Sequence, residues 1–269
     1  MSRLEALRGD FAVVQRMLRG MPRAKSHAEA LSAFYAPQAQ HYDRFRERLL
    51  RGRAELVERL PLADGARIVE LGGGTGRNAE FFGAKLDRVD SLTIVDLCAP
   101  LLAEARERAR TIRQLRVVEA DATTYEPDEP VDAVFFSYAL TMIPDWRAAI
   151  ANAIAMLKPG GVLGVVDFYV SAARVAAGFV QHNALTRAFW PAWFGHDGVR
   201  VSSQHFPELR RLLPDHAFIE ARANVPYLPI GRVPYYVFVG RKPALRRRLS
   251  SREKYSQRPT LPSPACGRG

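Results

Sequence analysis

The chain has 269 residues, 48% of them hydrophobic, and a formal net charge of +11. That length suits one α/β domain with extensions. No apolar run approaches the roughly 18 residues of a transmembrane helix, no signal peptide is evident, and two cysteines, Cys98 and Cys266, offer neither a disulfide framework nor metal-ligand spacing. The charge is local: from Arg241 onward nine Lys or Arg meet a single Glu, so residues 1–240 carry only +3 and do not form a basic nucleic-acid platform.

Residues 1–30 are predicted to be an amphipathic N-terminal extension. Leu4, Leu7, Phe11, Val14 and Leu18 recur at steps of three and four, over a helix of about 16 residues, with arginines elsewhere on its surface. Residues 31–60 are predicted to be a helical lid, with Leu31, Phe34 and Tyr35, a break at Pro37, then Tyr42, Phe45, Leu49 and Leu50, then Leu56, Val57 and Leu60. Residues 61–242 read as the core. Strands are predicted near 67–71, 92–96, 115–119, 131–137 and 161–168, and helices near 77–85, 99–111 and 145–157. Such alternation implies a parallel sheet with right-handed crossovers. An aromatic-rich insertion at 172–212 holds Phe179, Phe189, Trp190, Trp193 and Phe194. Two terminal strands follow, at 217–225 and 235–240, joined by a loop. Residues 243–269 form a basic, apolar-poor tail predicted to be disordered.

The chemistry concentrates after the first strand, in Glu70-Leu71-Gly72-Gly73-Gly74-Thr75-Gly76. Glycines at 72, 74 and 76 let the backbone turn tightly and lie against a ligand. Glu70 stands at the carboxyl end of the strand, where ligands bind in open α/β sheets. Asp96 ends the next strand, 20 residues after Gly76, where a carboxylate meets the hydroxyls of a ribose. A dinucleotide reading of Gly74-Thr75-Gly76-Arg77-Asn78-Ala79 lacks the second mononucleotide half it requires. A carboxylate in the loop would repel a pyrophosphate and favour a ligand bearing an ammonium and a sulfonium.

These motifs resemble the first two of class I S-adenosylmethionine-dependent methyltransferases, and further matches follow in order: Val118 to Ala122, Asp132 to Ser137, and Leu157-Lys158-Pro159-Gly160-Gly161-Val162-Leu163. The resemblance spans roughly residues 33–242. It implies a Rossmann-like, mostly parallel seven-stranded sheet with an antiparallel terminal strand and helices on both faces. It also implies that S-adenosylmethionine is held by Glu70, Gly72, Gly73, Gly74, Gly76, Asp96, Leu97, Asp121, Ala122 and Ser137.

The stretch Ser137-Tyr138-Ala139-Leu140-Thr141-Met142-Ile143-Pro144 is uncharged, lacks the motif of DNA adenine and protein glutamine methylators, and suits a lipid or other small-molecule acceptor. Tyr35, Tyr42 and Tyr138 are the candidate aromatic faces for a growing positive charge, and His41 is the candidate base. His182, His196 and His205 share no ligand spacing, so no metal is expected. The run from Phe34 to Arg53 and the 137–144 stretch also resemble the betaine-lipid N-methyltransferases. That resemblance implies trimethylation of the amine of diacylglyceryl-homoserine. The alternatives are a phosphatidylethanolamine N-methyltransferase, a quinone C-methyltransferase, or a non-catalytic cofactor-binding partner subunit. The expected setting is cytoplasmic, with the basic tail suited to an anionic inner membrane face. A homo-oligomer is compatible with the sequence, and a nucleic-acid partner is disfavoured.

Overall fold

The computed structural model describes residues 22, 24–38, 47–196, 198–225 and 231–244. The amphipathic stretch before Met21, the segment containing His41 and Tyr42, the loop at 226–230 and the tail from residue 245 lie outside the described residues.

Seven strands form one sheet in the order β3-β2-β1-β4-β5-β7-β6: β1 (Arg67–Leu71), β2 (Ser91–Asp96), β3 (Leu115–Glu119), β4 (Val131–Ser137), β5 (Leu157–Phe168), β6 (His216–Asn224) and β7 (Arg232–Arg241). The first five pair in parallel, while β7 runs against both β5 and β6. The antiparallel strand, last in sequence as expected, is therefore interior in space, and β6 runs in the same direction as the first five.

Side chains alternate across the sheet with a period of two, as a two-faced sheet demands. Val69, Leu71, Val95, Val134, Phe136, Leu163, Val165, Tyr236 and Phe238 fill one core with α4 (Trp146–Met156) and α6 (His205–Leu212). Ile68, Leu92, Ile94, Ala133, Phe135, Val162, Val166 and Val237 fill the other with α2 (Arg53–Arg59) and α3 (Ala99–Ala109). A register irregularity between Val131 and Ala133 explains why these two, although two apart, face opposite cores. The insertion supplies α5 (Ala184–Gly195), whose Trp190 and Phe194 close a third cluster with Phe168 and Val201.

Three elements depart from the expectations. The helix expected near 77–85 is a 3-10 segment over Arg77–Arg88, broken at Gly83 (φ 50°, ψ −134°), a conformation that glycine adopts at little cost. The helical region before β1 begins earlier, with α1 (His27–Tyr35). Ser26 Oγ accepts from the Glu29 backbone N–H while the Glu29 carboxylate accepts from the Lys25 N–H, so the start is fixed by reciprocal capping. Finally, α2, in the second half of the expected lid, packs on the sheet, with Leu56 and Leu60 so close over Gly164 that a Cβ there would meet them at 3.0 and 2.9 Å. Among the described residues no helix is long and apolar enough to cross a membrane.

Candidate functional site: a split cavity at the carboxyl edge of the sheet

The ends of β1, β2 and β4 converge on two adjoining cavities. The larger, about 260 Å³, is lined by Asp96, Leu97 and Cys98 after β2, Asp121 and Ala122 after β3, Ala139 to Asp145 in part, and His27, Leu31 and Tyr35 from α1. The smaller, about 60 Å³, is lined by Glu70, Gly72, Gly73, Asn78, Ser137 and Arg53, among others. Tyr35, Gly72, Gly74, Tyr138 and Met142 wall both.

The glycine loop is wound by three left-handed residues, Gly72, Gly74 and Gly76 (φ 71°, 54° and 69°). Gly72 is also needed for space, since a Cβ there would lie 2.5 Å from Ala139 Cβ. Asp96 fixes the loop from below: its Oδ2 accepts from the Gly74 N–H at 2.9 Å and its Oδ1 from the Cys98 N–H at 2.8 Å. Burial still raises its pKa, with the backbone donors opposing. Cys98 is the residue preceding α3, and burial pushes its thiol up to about 12, which suits a packing role and not a nucleophile.

Glu70 is fully buried. Burial pushes its carboxyl up to about 8, against the opposing effects of the Asn78 amide and the Arg53 charge. Its Oε1 accepts from Asn78 Nδ2 at 2.5 Å. Among the described residues its Oε2, and Ser137 Oγ in the same cavity, are buried with no partner. Buried polar atoms are rarely left so; two together, across from the buried Arg53, make a cavity with an unmet demand for a polar ligand. Arg53 is only 8% exposed, and its Nε donates to the Leu50 carbonyl.

The loop after β4 is held from the neighbouring strand, β5. Fully buried Asp167 of β5 accepts from Thr141 Oγ1 at 2.8 Å, from the Thr141 N–H at 3.1 Å and from the Phe168 N–H at 2.8 Å. Tyr138 has the left-handed φ of 55°, unusual for a bulky residue. Its ring meets Phe168 with centroids 4.6 Å apart, and its hydroxyl donates to the Arg51 carbonyl at 2.6 Å.

Of the expected cofactor residues, Glu70, Gly72, Gly73, Gly74, Asp96, Leu97, Asp121, Ala122 and Ser137 line one or both cavities. Gly76 lines neither; it precedes the 3-10 segment, close over Ala105. Asp121 Oδ1 is engaged by the Thr123 N–H and hydroxyl at 2.8 and 2.7 Å. Tyr35 and Tyr138 come together at the junction, whereas Tyr42 and His41 lie outside the described residues. Sequence reasoning passed over two residues. His27 lines the larger cavity, and burial, then the Arg200 charge, lower its pKa, with Asp121 opposing. Arg53 lines the smaller one. The capping pair Ser26 and Glu29 could have marked His27 as the first residue of a helix.

Sheet order, glycine loop and strand-end acids together define a Rossmann-like methyltransferase fold. Residues 68–161 match the family model described as a methyltransferase domain. The chain is 35% identical over 127 residues to trans-aconitate 2-methyltransferase of Variovorax paradoxus, covering 46% of this chain and 47% of the relative. It is 26% identical over 154 residues to the ubiquinone/menaquinone biosynthesis C-methyltransferase of Shewanella halifaxensis, covering 54% and 61%. The chain thus spans about half the length of the first of these and under two thirds of the second. Among solved structures, Haemonchus contortus phospholethanolamine N-methyltransferase 2, in complex with phosphomonomethylethanolamine and S-adenosylhomocysteine, superposes with a TM-score of 0.63 at 15% identity, covering 82% of this chain and 61% of the other. At that identity the likeness is one of fold.

Proposed function

We propose that this chain binds S-adenosylmethionine in the split cavity and transfers its methyl group to a small-molecule acceptor. The observation that carries the reading is a pair of buried atoms, Glu70 Oε2 and Ser137 Oγ, that have no partner among the described residues and share one small cavity with Arg53. An acid and a guanidinium there suit the ammonium and carboxylate of an amino-acid group. Asp96 would receive the ribose, and Ala122, Leu97 and Asp121 the adenine. The bound cofactor supplies the electrophilic methyl carbon; the protein supplies position and desolvation. Tyr35 and Tyr138 present rings at the junction of the cavities, where an acceptor would meet the methyl group. His27, held neutral, is placed to take a proton.

For the acceptor we carry forward a lipid headgroup amine, with diacylglyceryl-homoserine as the specific candidate. The apolar wall of Ala139, Met142 and Ile143 and the two tyrosine rings support it. A second reading, methylation of a carboxylate, is favoured by the Arg200 charge felt at His27 and by the naming of relatives as trans-aconitate 2-methyltransferases. Quinone C-methylation would ask His27 to remove a ring proton. Calorimetric titration with S-adenosylmethionine tests the shared core of these readings. Binding by the wild type that is lost in Glu70→Ala is expected; undiminished binding in that variant would overturn the cofactor assignment.

A further inference from the structure

We infer that the open cleft beside the larger cavity is an oxyanion subsite that holds a carboxylate or phosphate group of the acceptor. The inference rests on the methyl-transfer reading and specifies the acceptor chemistry of the same site. The cleft is about 450 Å³, with Leu140, Ile143 and Pro144 on one side and Arg187, Arg200 and Ser202 to His205 on the other. Ile143 and Pro144 also line the larger cavity, so they form a shared partition between the two spaces.

Among the described residues the cleft has one sign of charge: two guanidiniums line it and no carboxylate does. Several arginines elsewhere in the protein meet acids, as in Arg59 with Glu55, Arg67 with Glu129, Arg88 with Asp64 and Arg211 with Glu208. Among the described residues neither Arg187 nor Arg200 has an acid partner; Arg187 donates to the Ala172 carbonyl at 3.3 Å. Asp145, between the cleft-lining Pro144 and Trp146, lines the larger cavity and caps α4 by accepting from the Ala148 N–H at 3.1 Å, and both oxygens of Glu208 in the first turn of α6 are engaged by Arg211, at 2.7 and 3.0 Å. Ser202 Oγ accepts from the Gln204 N–H at 3.0 Å, which leaves its hydroxyl proton free to donate.

The segment bearing Arg200 is tied to the acceptor side of the site. The Arg200 N–H donates to the Thr141 carbonyl at 2.7 Å, and Ser202 bridges to Tyr169. The Arg200 charge is felt at His27 inside the larger cavity. Guanidiniums hold carboxylates and phosphates through paired, charge-assisted hydrogen bonds. An acceptor whose apolar part lies along Ile143 and Pro144 would therefore present its methyl-receiving atom to the cavity and its anion to the arginines.

Calorimetric titration of the full chain with tricarballylate and with inorganic phosphate tests the subsite. At least one probe is expected to bind the wild type. Arg187→Gln and Arg200→Gln should each weaken it by about 10-fold or more, as loss of a charged hydrogen bond implies, with S-adenosylmethionine affinity unchanged. Arg110→Gln, which removes an exposed charge paired with Glu107, should bind as the wild type does. Preference for tricarballylate assigns a carboxylate, and preference for phosphate assigns a phosphate ester. Failure of both probes to bind the wild type, or full affinity in both cleft variants, overturns the inference. Failure of S-adenosylmethionine to bind would instead overturn the methyl-transfer reading.

Discussion

Glu70 and Asn78 are joined by a 2.5 Å hydrogen bond that, among the described residues, satisfies only one oxygen of a carboxyl group buried completely at the end of β1. With its pKa pushed up to about 8, Glu70 stays protonated in the folded, ligand-free protein at neutral pH. An arriving ammonium would favour the ionised form. Calorimetry at pH 7 in two buffers of different ionisation enthalpy should therefore register a proton released on cofactor binding by the wild type, and none in Glu70→Gln. Equal proton counts for the two proteins would contradict the pairing.

The same group sets a pH dependence of stability. The unfolded chain loses the Glu70 proton near the usual carboxylate range, while the folded chain keeps it up to about pH 8. Between those values the folded state binds more protons, so stability falls as pH rises. Glu70→Gln removes this contribution. Its melting temperature relative to the wild type should rise between pH 5 and pH 8; a constant difference would show that Glu70 titrates normally.

Asp96→Ala should weaken S-adenosylmethionine binding by about 1.5–3 kcal/mol, the value of hydrogen bonds to a charged group. The two backbone donors on Asp96 add an expectation that sequence alone did not offer: the Gly74 and Cys98 N–H groups lose their acceptor, so thermal stability drops too. Asp96→Asn keeps an acceptor and should recover part of the stability. An Ala variant with unaltered affinity would remove Asp96 from the ribose role.

Gly72→Ala should abolish cofactor binding with a limited effect on folding. The residue sits at φ 71°, and the new methyl carbon would fall 2.5 Å from Ala139 Cβ. The left-handed backbone alone costs about 1–2 kcal/mol, and relief of the clash would push the post-β4 loop away. Titration calorimetry with circular dichroism as a folding control checks this; wild-type affinity would mean that the two loops need not touch.

Thr141→Val leaves buried Asp167 short of one hydroxyl donor. A loss of about 1.5–3 kcal/mol is expected, seen as a melting temperature lowered by roughly 3–12 °C. Tyr138→Phe, by contrast, keeps the ring and removes only the bond to Arg51. It should retain most methyl transfer while losing about 1 kcal/mol of stability; a large loss of turnover would assign the hydroxyl to the acceptor.

The parallel sheet was legible because its strands are short apolar runs ended by acids and glycines, and β1, β3 and β4 fall where the pattern puts them. The cofactor half of the site was legible for the same reason: Glu70, Gly72 and Asp96 are placed by local strand-to-turn geometry. What pattern could not supply was contact between segments distant in sequence. Asp167 anchors Thr141, 26 residues earlier. Arg53 is buried, and its charge acts on Glu70, 17 residues later. The expected helix after the glycine loop became a broken 3-10 segment because Gly83 takes a backbone conformation that no periodicity reveals.

The most direct test is methyl transfer itself. The full chain would be incubated with methyl-labelled S-adenosylmethionine and, side by side, a polar-lipid extract and an aqueous extract of small acids, with S-adenosylhomocysteine counted against label. The account predicts label in a defined small molecule or lipid, with one S-adenosylhomocysteine formed per methyl group, and no label with Glu70→Ala. Tight cofactor binding without transfer to either extract would contradict it and make this chain a cofactor-binding partner rather than an enzyme.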